Sequence, residues 1–400
     1  MMLIRKWGFI LLVILFLVLQ TGCWSSKEIE NLSVYVGIGL DVAEKTPFEE
    51  SIDEQGGNYP KKDLITVTVQ TVPGTSGGAK KQGSGSSPSD QTFLNERLTG
   101  DSLFQILRQF SLRRSRPLIG HHLKVVVVSS ELARKYSMQQ LLDFVLRDND
   151  IRLSTLVMLC QGKAVDALSS KNSSDIPAFY LRGLPQNRYR SNKILPPMSL
   201  AKLDAKMQSG TSFMLQNVIT FEQEHKLSGA GVFSGKTKKL LGTLNQSDLE
   251  GVSWIMGNAL AGPLKTYDPR TGQTIVYEIH SSKSKITPII RQDEISFHVN
   301  IKSKGQFMED WSLANNTPTD KNIERLQEWF EEEVDKQVNQ LLQKLQKEYR
   351  ADVLGFGEQI RIKHPRLWEK VKNHWDDIFA ESRITHEVHI NIEGYGSIME

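Results

Sequence analysis

Several places in this 400-residue chain carry residue types at spacings that suggest chemistry. Cys23 presents a thiol directly after Gly22. Ala230-Gly-Val-Phe-Ser-Gly235-Lys236-Thr237 satisfies a relaxed phosphate-loop pattern, in which backbone N–H groups and a lysine would cradle a nucleotide. Gly74-Thr-Ser76-Gly-Gly78 matches the strained elbow that exposes a nucleophilic serine. His386 and His389 stand one residue closer together than the paired histidines of the helical zinc-protease motif, and His121-His122 adds two imidazoles.

Each motif needs a particular element beneath it, and the surrounding sequence does not supply one. A phosphate loop must follow a strand and open a helix, but Val232 and Phe233 lie within a β-rich run. The continuation Lys238 to Leu244 lacks a helical period, and no apolar strand ends in an aspartate for magnesium. The expectation is a hairpin, Gly229–Phe233 against Lys239–Leu244, with a nucleotide-dependent enzyme using Lys236 as the competing reading. Gly74–Gly78 sits in the Gly-, Ser- and Lys-dominated stretch from Pro73 to Asp90, which predicts a flexible excursion with nothing to hold a strained turn. The alternation of Val388, Ile390 and Ile392 puts His386 and His389 on a strand, where positions i and i+3 face opposite sides. His121-His122 has no second ligand cluster. No catalytic constellation, metal site or cofactor is expected, which leaves binding or structural work.

Cys23 fits its surroundings better. Arg5-Lys6 is a short positive region, and the uncharged run from Trp7 to Leu19 falls short of the ~20 residues of a spanning helix. The length and flanks predict a signal segment over 1–22. Leu19-Gln20-Thr21-Gly22-Cys23 resembles the lipobox of bacterial lipoproteins, with Gln20 where an apolar residue is usual. Cleavage between Gly22 and Cys23 would leave an N-terminal cysteine carrying diacylglycerol and an N-acyl (palmitoyl) chain. Two or more chains anchor stably where one is marginal. Cys160, the other cysteine, ends the apolar run from Leu153 and reads as a small buried hydrophobe.

Composition is that of a folded protein, 39% hydrophobic and 24% charged, and a net charge of +3 leaves no electrostatic footprint for nucleic acid. The expected fold class is α+β or mixed α/β, in two to three domains. Each would be a mixed or antiparallel sheet covered by helices. Residues 23–200 alternate strands (Ser33–Leu40, Leu64–Val72, Leu123–Val128, Leu153–Cys160) with helices, and exposed loops are expected over about 41–62 and 73–90. Residues 201–270 are expected as a middle unit containing the hairpin. Residues 271–400 are expected as a C-terminal α+β domain, with a helix over about 318–350 opened by Thr317-Pro318-Thr319-Asp320. A second helix would carry Leu367, Val371, Trp375, Ile378 and Phe379.

In order along the chain, Gly22-Cys23-Trp24, Val36-Gly-Ile-Gly-Leu-Asp41, Gly120-His121 and Gly229-Ala-Gly-Val-Phe233 with Leu241-Gly242 resemble the Ger(x)C family of spore germination lipoproteins. The most specific match is Asp352-Val-Leu-Gly355-Phe-Gly357-Glu358, followed by His364-Pro365, Trp368 and Trp375-Asp376. The family's usual Trp-Asp pair after the cysteine is Trp24-Ser25 here. The resemblance implies the C subunit of a GerA-type nutrient germinant receptor, without catalysis, tethered to the outer face of the spore's inner membrane. Its partners would be a polytopic A subunit and a transporter-like B subunit. A solute-binding lipoprotein of a transporter is the alternative, and it would require two similar lobes around a ligand cleft.

Overall fold

The structure, a computed structural model, describes Trp7 and residues 32–72, 92–170, 175–292, 294–312 and 319–395. The calls on Gly22, Cys23 and the Gly74–Gly78 motif lie outside these residues. Among the described residues, no helix is long and apolar enough to cross a membrane.

The first body is a nine-stranded mixed sheet. Its chain order is β1 (Ser33–Val42), α1 (Pro47–Glu54), β2 (Ile65–Val72), β3 (Leu94–Gly100), α2 (Leu103–Gln109), β4 (Leu118–Ile119) and β5 (Val125–Ser129). It continues with α3 (Ser130–Lys135), α4 (Met138–Arg147), β6 (Leu156–Gln161), α5 (Ala164–Ala167), α6 (Pro177–Gly183), α7 (Leu200–Ser209), β7 (Phe213–Phe221), β8 (Glu224–Phe233) and β9 (Leu240–Leu244). Parallel β1, β5, β6 and β7 form the centre, and antiparallel wings β2–β3 and β8–β9 flank it. Consecutive valines suit that centre because it is covered on both faces. Val126 and Val128 pack beneath α2, α3, α4 and α7, while Val125 and Val127 pack beneath α5 and α6.

Two expectations change here. The boundary near residue 200 falls inside a continuous sheet, because β7 pairs in parallel with β6 and brings β8 and β9 with it. The loop expected over 41–62 contains α1. It buries no apolar side chain, and its N-terminus holds it: Pro47 starts it, Thr46 and Glu49 cap each other, and buried Glu49 accepts from the Thr99 amide at 2.6 Å.

The second body begins with α8 (Gln246–Met256) and then builds a four-stranded sheet. Its strands are β10 (Gly262–Tyr267), β11 (Thr274–Arg291), β12 (Glu294–Asp310) and, at the chain's end, β13 (Ile384–Gly394), in that spatial order. Between β12 and β13 lie α9 (Asp320–Gln343), α10 (Phe356–Lys363), α11 (Pro365–Val371) and α12 (Trp375–Glu381). Thr319 caps α9, and Leu326, Phe330, Val334 and Leu341 bury its apolar stripe on the sheet's inner face. A π-type turn over Lys344–Tyr349 extends it before Arg350, at φ +47°, stops it. The second helix expected from Leu367 to Phe379 is two short helices joined by a 3₁₀ turn over Lys372–His374. That turn brings the Trp368 and Trp375 rings to 5.6 Å, closer than two turns of a straight helix would allow. The two bodies differ in strand number and topology, which removes the paired-lobe architecture of the alternative reading. Their cores are continuous, since Met214, Val232 and Leu244 of the first sheet pack with the residues beneath α8 and α9.

Two glycines provide a controlled comparison. Gly162 and Gly229 both have positive φ, +96° and +72°, but a Cβ at Gly162 meets open space whereas one at Gly229 runs into the Leu244 carbonyl of β9. Gly162→Ala is expected to cost about 1 kcal/mol from backbone strain alone. Gly229→Ala should cost roughly 2–4 kcal/mol, because the β8–β9 pairing must also move. Denaturant unfolding of the two variants measures the difference.

Candidate functional site

The family-signature residues converge where the second body meets the first. After Arg350 stops the long helix, the chain turns sharply through Gly355, at φ +90°, a conformation glycine adopts without strain. That turn wraps successive backbone amides around the buried side chain of Asp352. Its Oδ1 accepts from the N–H groups of Leu354 (3.1 Å), Gly355 (2.9 Å) and Phe356 (3.2 Å). Its Oδ2 accepts from the Gly357 amide at 2.6 Å and the Trp375 indole Nε1 at 2.7 Å. Asp352 thereby caps α10 and fixes a residue more than twenty positions downstream. Charge-assisted bonds of this kind are the strong ones, and burial makes them costly to break.

Gly357 makes the tryptophan bond geometrically possible. A Cβ there would stand 2.5 Å from Trp375 Nε1 and 2.8 Å from Cε2. Pro365 starts α11, which places Trp368 against Trp375. Trp375 meets Phe297 of β12 edge-on at 6.1 Å, and Phe297 meets Phe356 at 5.0 Å, so the turn is also keyed into the sheet.

Asp376 carries the linkage across to the first body. Its Oδ1 accepts from the Asp352 amide at 3.0 Å and its Oδ2 from the Ser212 hydroxyl at 2.8 Å, while Ser212 Oγ accepts from the Gly235 amide at 2.8 Å. Burial pushes the Asp376 carboxyl above the usual aspartate range, against the opposing pull of those two donors. Ser212 and Gly235 have no local sequence signal for this role; only the meeting of distant elements reveals it. A cleft of about 120 Å³ lies between the bodies, lined among others by Lys206, Lys236, Glu358, Trp368, Trp375 and Asp376.

The structure brings together Asp352, Gly355, Gly357, Trp368 and Trp375, with Pro365 setting the approach of Trp368. Glu358 borders the cleft but stays outside the buried network. It pairs with Arg361 at 2.5 Å, and that partner holds its carboxyl below the usual range. Lys236 sits on the β8–β9 turn, as the hairpin reading expects, with its amide donating to Ser234 Oγ at 3.2 Å. His386 pairs with Asp335 of α9 at 2.5 Å, whereas His389 pairs with Glu387, so the two imidazoles diverge. Among the described residues no metal-holding cluster of His, Cys, Asp and Glu occurs. Burial raises the Cys160 thiol well above its usual range, which suppresses the reactive thiolate.

The signature at the N-terminal end also has a physical basis. Asp41 accepts from the Ala164 and Val165 amides at 2.6 and 3.1 Å, capping α5. A Cβ at Gly39 would lie 3.2 Å from Ala164 Cβ, so its absence lets α5 sit close on β1.

Fold and junction together define a two-body α+β protein, with an N-terminal mixed sheet and a C-terminal sheet backed by a long helix. Residues 25–220 match the family described as spore germination protein N-terminal domain, and residues 228–396 match Spore germination B3/GerAC like, C-terminal. The division between these matches falls at the β7–β8 turn, within the continuous sheet. Spore germination protein YndF of Bacillus subtilis is 44% identical over 98% of both chains, and Spore germination protein B3 of the same organism is 30% identical over 94% of this chain and 95% of that one. The crystal structure of the GerBC protein matches with a TM-score of 0.60 and 27% identity, covering 89% of this chain and 97% of its own. The chain belongs to the Ger(x)C family of spore germination proteins.

Removing the Asp352 carboxylate in Asp352→Ala leaves several buried donors unsatisfied and should cost about 3 kcal/mol or more. Glu358→Gln, in a solvent-screened pair, should stay within about 0.5 kcal/mol. Equilibrium unfolding of both variants checks the ranking. For Asp376 the sign follows from a folded-state pKa raised above the unfolded value near ~3.9. Its contribution to stability is complete below that value and is lost as pH rises through the folded pKa. Asp376→Asn should therefore lose part of the wild-type decline in stability just above that value, measured as the difference between the two unfolding curves across pH.

Proposed function

We propose that this chain is a non-enzymatic, lipid-anchored subunit of a nutrient germinant receptor. Cys23 tethers it to the outer face of the spore's inner membrane, and membrane-embedded A and B subunits are its partners. The observation that carries the reading is full-length similarity, in both bodies, to proteins named for spore germination. The N-terminal sequence supports the anchor, because the Trp7–Leu19 run suits a signal segment and Gly22-Cys23 follows it directly. The architecture supports a scaffold and interaction role. Asp352, Gly355, Gly357 and Trp375 go into a buried hydrogen-bond network that Asp376 ties to the first body, and that network presents no nucleophile–base pair. Asp352 is saturated with donors, and Asp376 is engaged on both oxygens.

Deleting the gene in a strain lacking related receptor genes should abolish or slow nutrient-triggered germination, scored by loss of spore refractility. An unchanged response in every nutrient mixture would sink the assignment. Cys23→Ala should release the protein from spore membranes or block its processing. Continued incorporation of labelled fatty acid into that variant would rule out the anchor site.

A further inference from the structure

We propose that the end of the first sheet carrying Ser33 rests on the membrane, with Lys124, Arg152 and Arg182 against anionic lipid headgroups and Leu153 and Phe179 at the interface. The inference rests on Cys23 being the lipid anchor, and adds the orientation of the first body and the class of lipid it touches. Ser33, the first residue of β1, follows Cys23 by ten positions, a reach of at most about 35 Å when fully extended. β1 itself has 10 residues and is about 33 Å long. Turning the far end of the sheet to the bilayer would need a fully stretched tether lying along the whole strand. The near end needs none of that reach.

The near end also gathers basic side chains. β1, β5 and β6 run parallel, so their N-terminal ends lie together. The Lys124 amide donates to the Val36 carbonyl at 2.8 Å, and the Leu156 amide to the Lys124 carbonyl at 3.0 Å. Arg152 and Leu153 are exposed in the loop that enters β6, and Phe179 and Arg182 are exposed one turn apart on α6. The Lys124 ammonium stands 5.9 Å from the centre of the Phe179 ring, which joins strand end and helix into one surface. Among the described residues, Lys124, Arg152 and Arg182 make no ion pair. Burial, then the charges of Arg182 and Arg152, lower the Lys124 pKa with no carboxylate opposing them. Burial, then Lys124, Arg152 and His121, likewise lower that of His122. The nearest acids along the chain, Asp148 and Asp150, lie on the side of α4, which Asp148 caps, and Asp150 faces His121 at 3.4 Å. α6 packs on the opposite face of the sheet, so the charge between Lys124 and α6 is positive and uncompensated. Basic groups beside exposed apolar ones suit a surface that lies on anionic headgroups. Each base there strengthens contact roughly fivefold, and three together about a hundredfold.

The test reconstitutes the lipidated protein on vesicles of phosphatidylcholine, alone or mixed with phosphatidylglycerol. Cys23 takes the lipid and Cys160 is buried, so a new cysteine can be labelled selectively with a polarity-sensitive fluorophore. Ser154→Cys reports on the basic patch, and Ser51→Cys on α1 reports on the far end of the sheet. On vesicles containing phosphatidylglycerol, the label at 154 should shift to the blue and be quenched by spin-labelled lipid, while that at 51 stays in water. Combining Lys124→Gln, Arg152→Gln and Arg182→Gln should weaken that contact about a hundredfold, with the melting temperature unchanged. Raising salt to about 0.5 M should weaken it in the same direction. Protein that pellets with the vesicles but gives the same signal at 154 and 51 overturns the proposal and leaves the anchor standing. So does a signal at 154 that ignores phosphatidylglycerol or the triple substitution. Protein that pellets with neither vesicle overturns the anchor, and the orientation with it.

Discussion

The geometry of the C-terminal part depends on one buried carboxylate. Asp352 gathers the amides of the turn that follows it and the indole of Trp375, so a short segment of chain closes into a rigid hook. A carboxylate in such a position is stable only when donors surround it, and the turn can hold its shape only while the carboxylate is there. This mutual dependence explains the glycines on either side. Gly355 permits the left-handed turn, and Gly357 lets the indole approach.

The hook matters because it is tied at both ends. Phe297 and Phe356 key it into the second sheet, and Asp376 and Ser212 tie it to the first. Apolar packing alone would leave the two bodies free to slide, since it has little directional preference. Directional hydrogen bonds from Ser212 to Asp376 and from the Gly235 amide to Ser212 fix the register between them. The same economy appears at the other end of the chain, where Asp41 caps α5 and Gly39 lets it settle on β1. In both places a buried acid and a nearby glycine set the position of a short helix that its own propensity would not hold.

The first sheet explains why the chain behaves as two bodies with a shared core. Its parallel centre needs helices on both faces, and the crossovers supply them. The antiparallel wing β8–β9 then reaches past the centre, so that Val232 and Leu244 face residues of the second body. The hairpin turn bearing Lys236 is carried to the junction by this extension, which is how a lysine from a catalytic-looking motif comes to border a cleft.

Much of this was legible in the residues alone. Apolar runs and alternation located β1, β2, β5, β6, β8, β9 and β13, because periodicity records which face is buried, and Thr317-Pro318-Thr319-Asp320 located the start of α9, although the residue that caps it is Thr319. The signature from Asp352 to Trp375 identified the family. Sequence did not show α1, which a reciprocal N-terminal cap holds without burying an apolar side chain, nor the break between α11 and α12 that accompanies the packing of Trp368 on Trp375. It placed a boundary near 200 that sheet pairing erases, since which strand accepts β7 is a long-range choice without a local signal. The role of Asp352 as the acceptor for its own turn and for Trp375, and the bond from Asp376 to Ser212, could be decided only by tertiary structure. Hydrogen bonds between residues far apart in sequence leave no period in the chain.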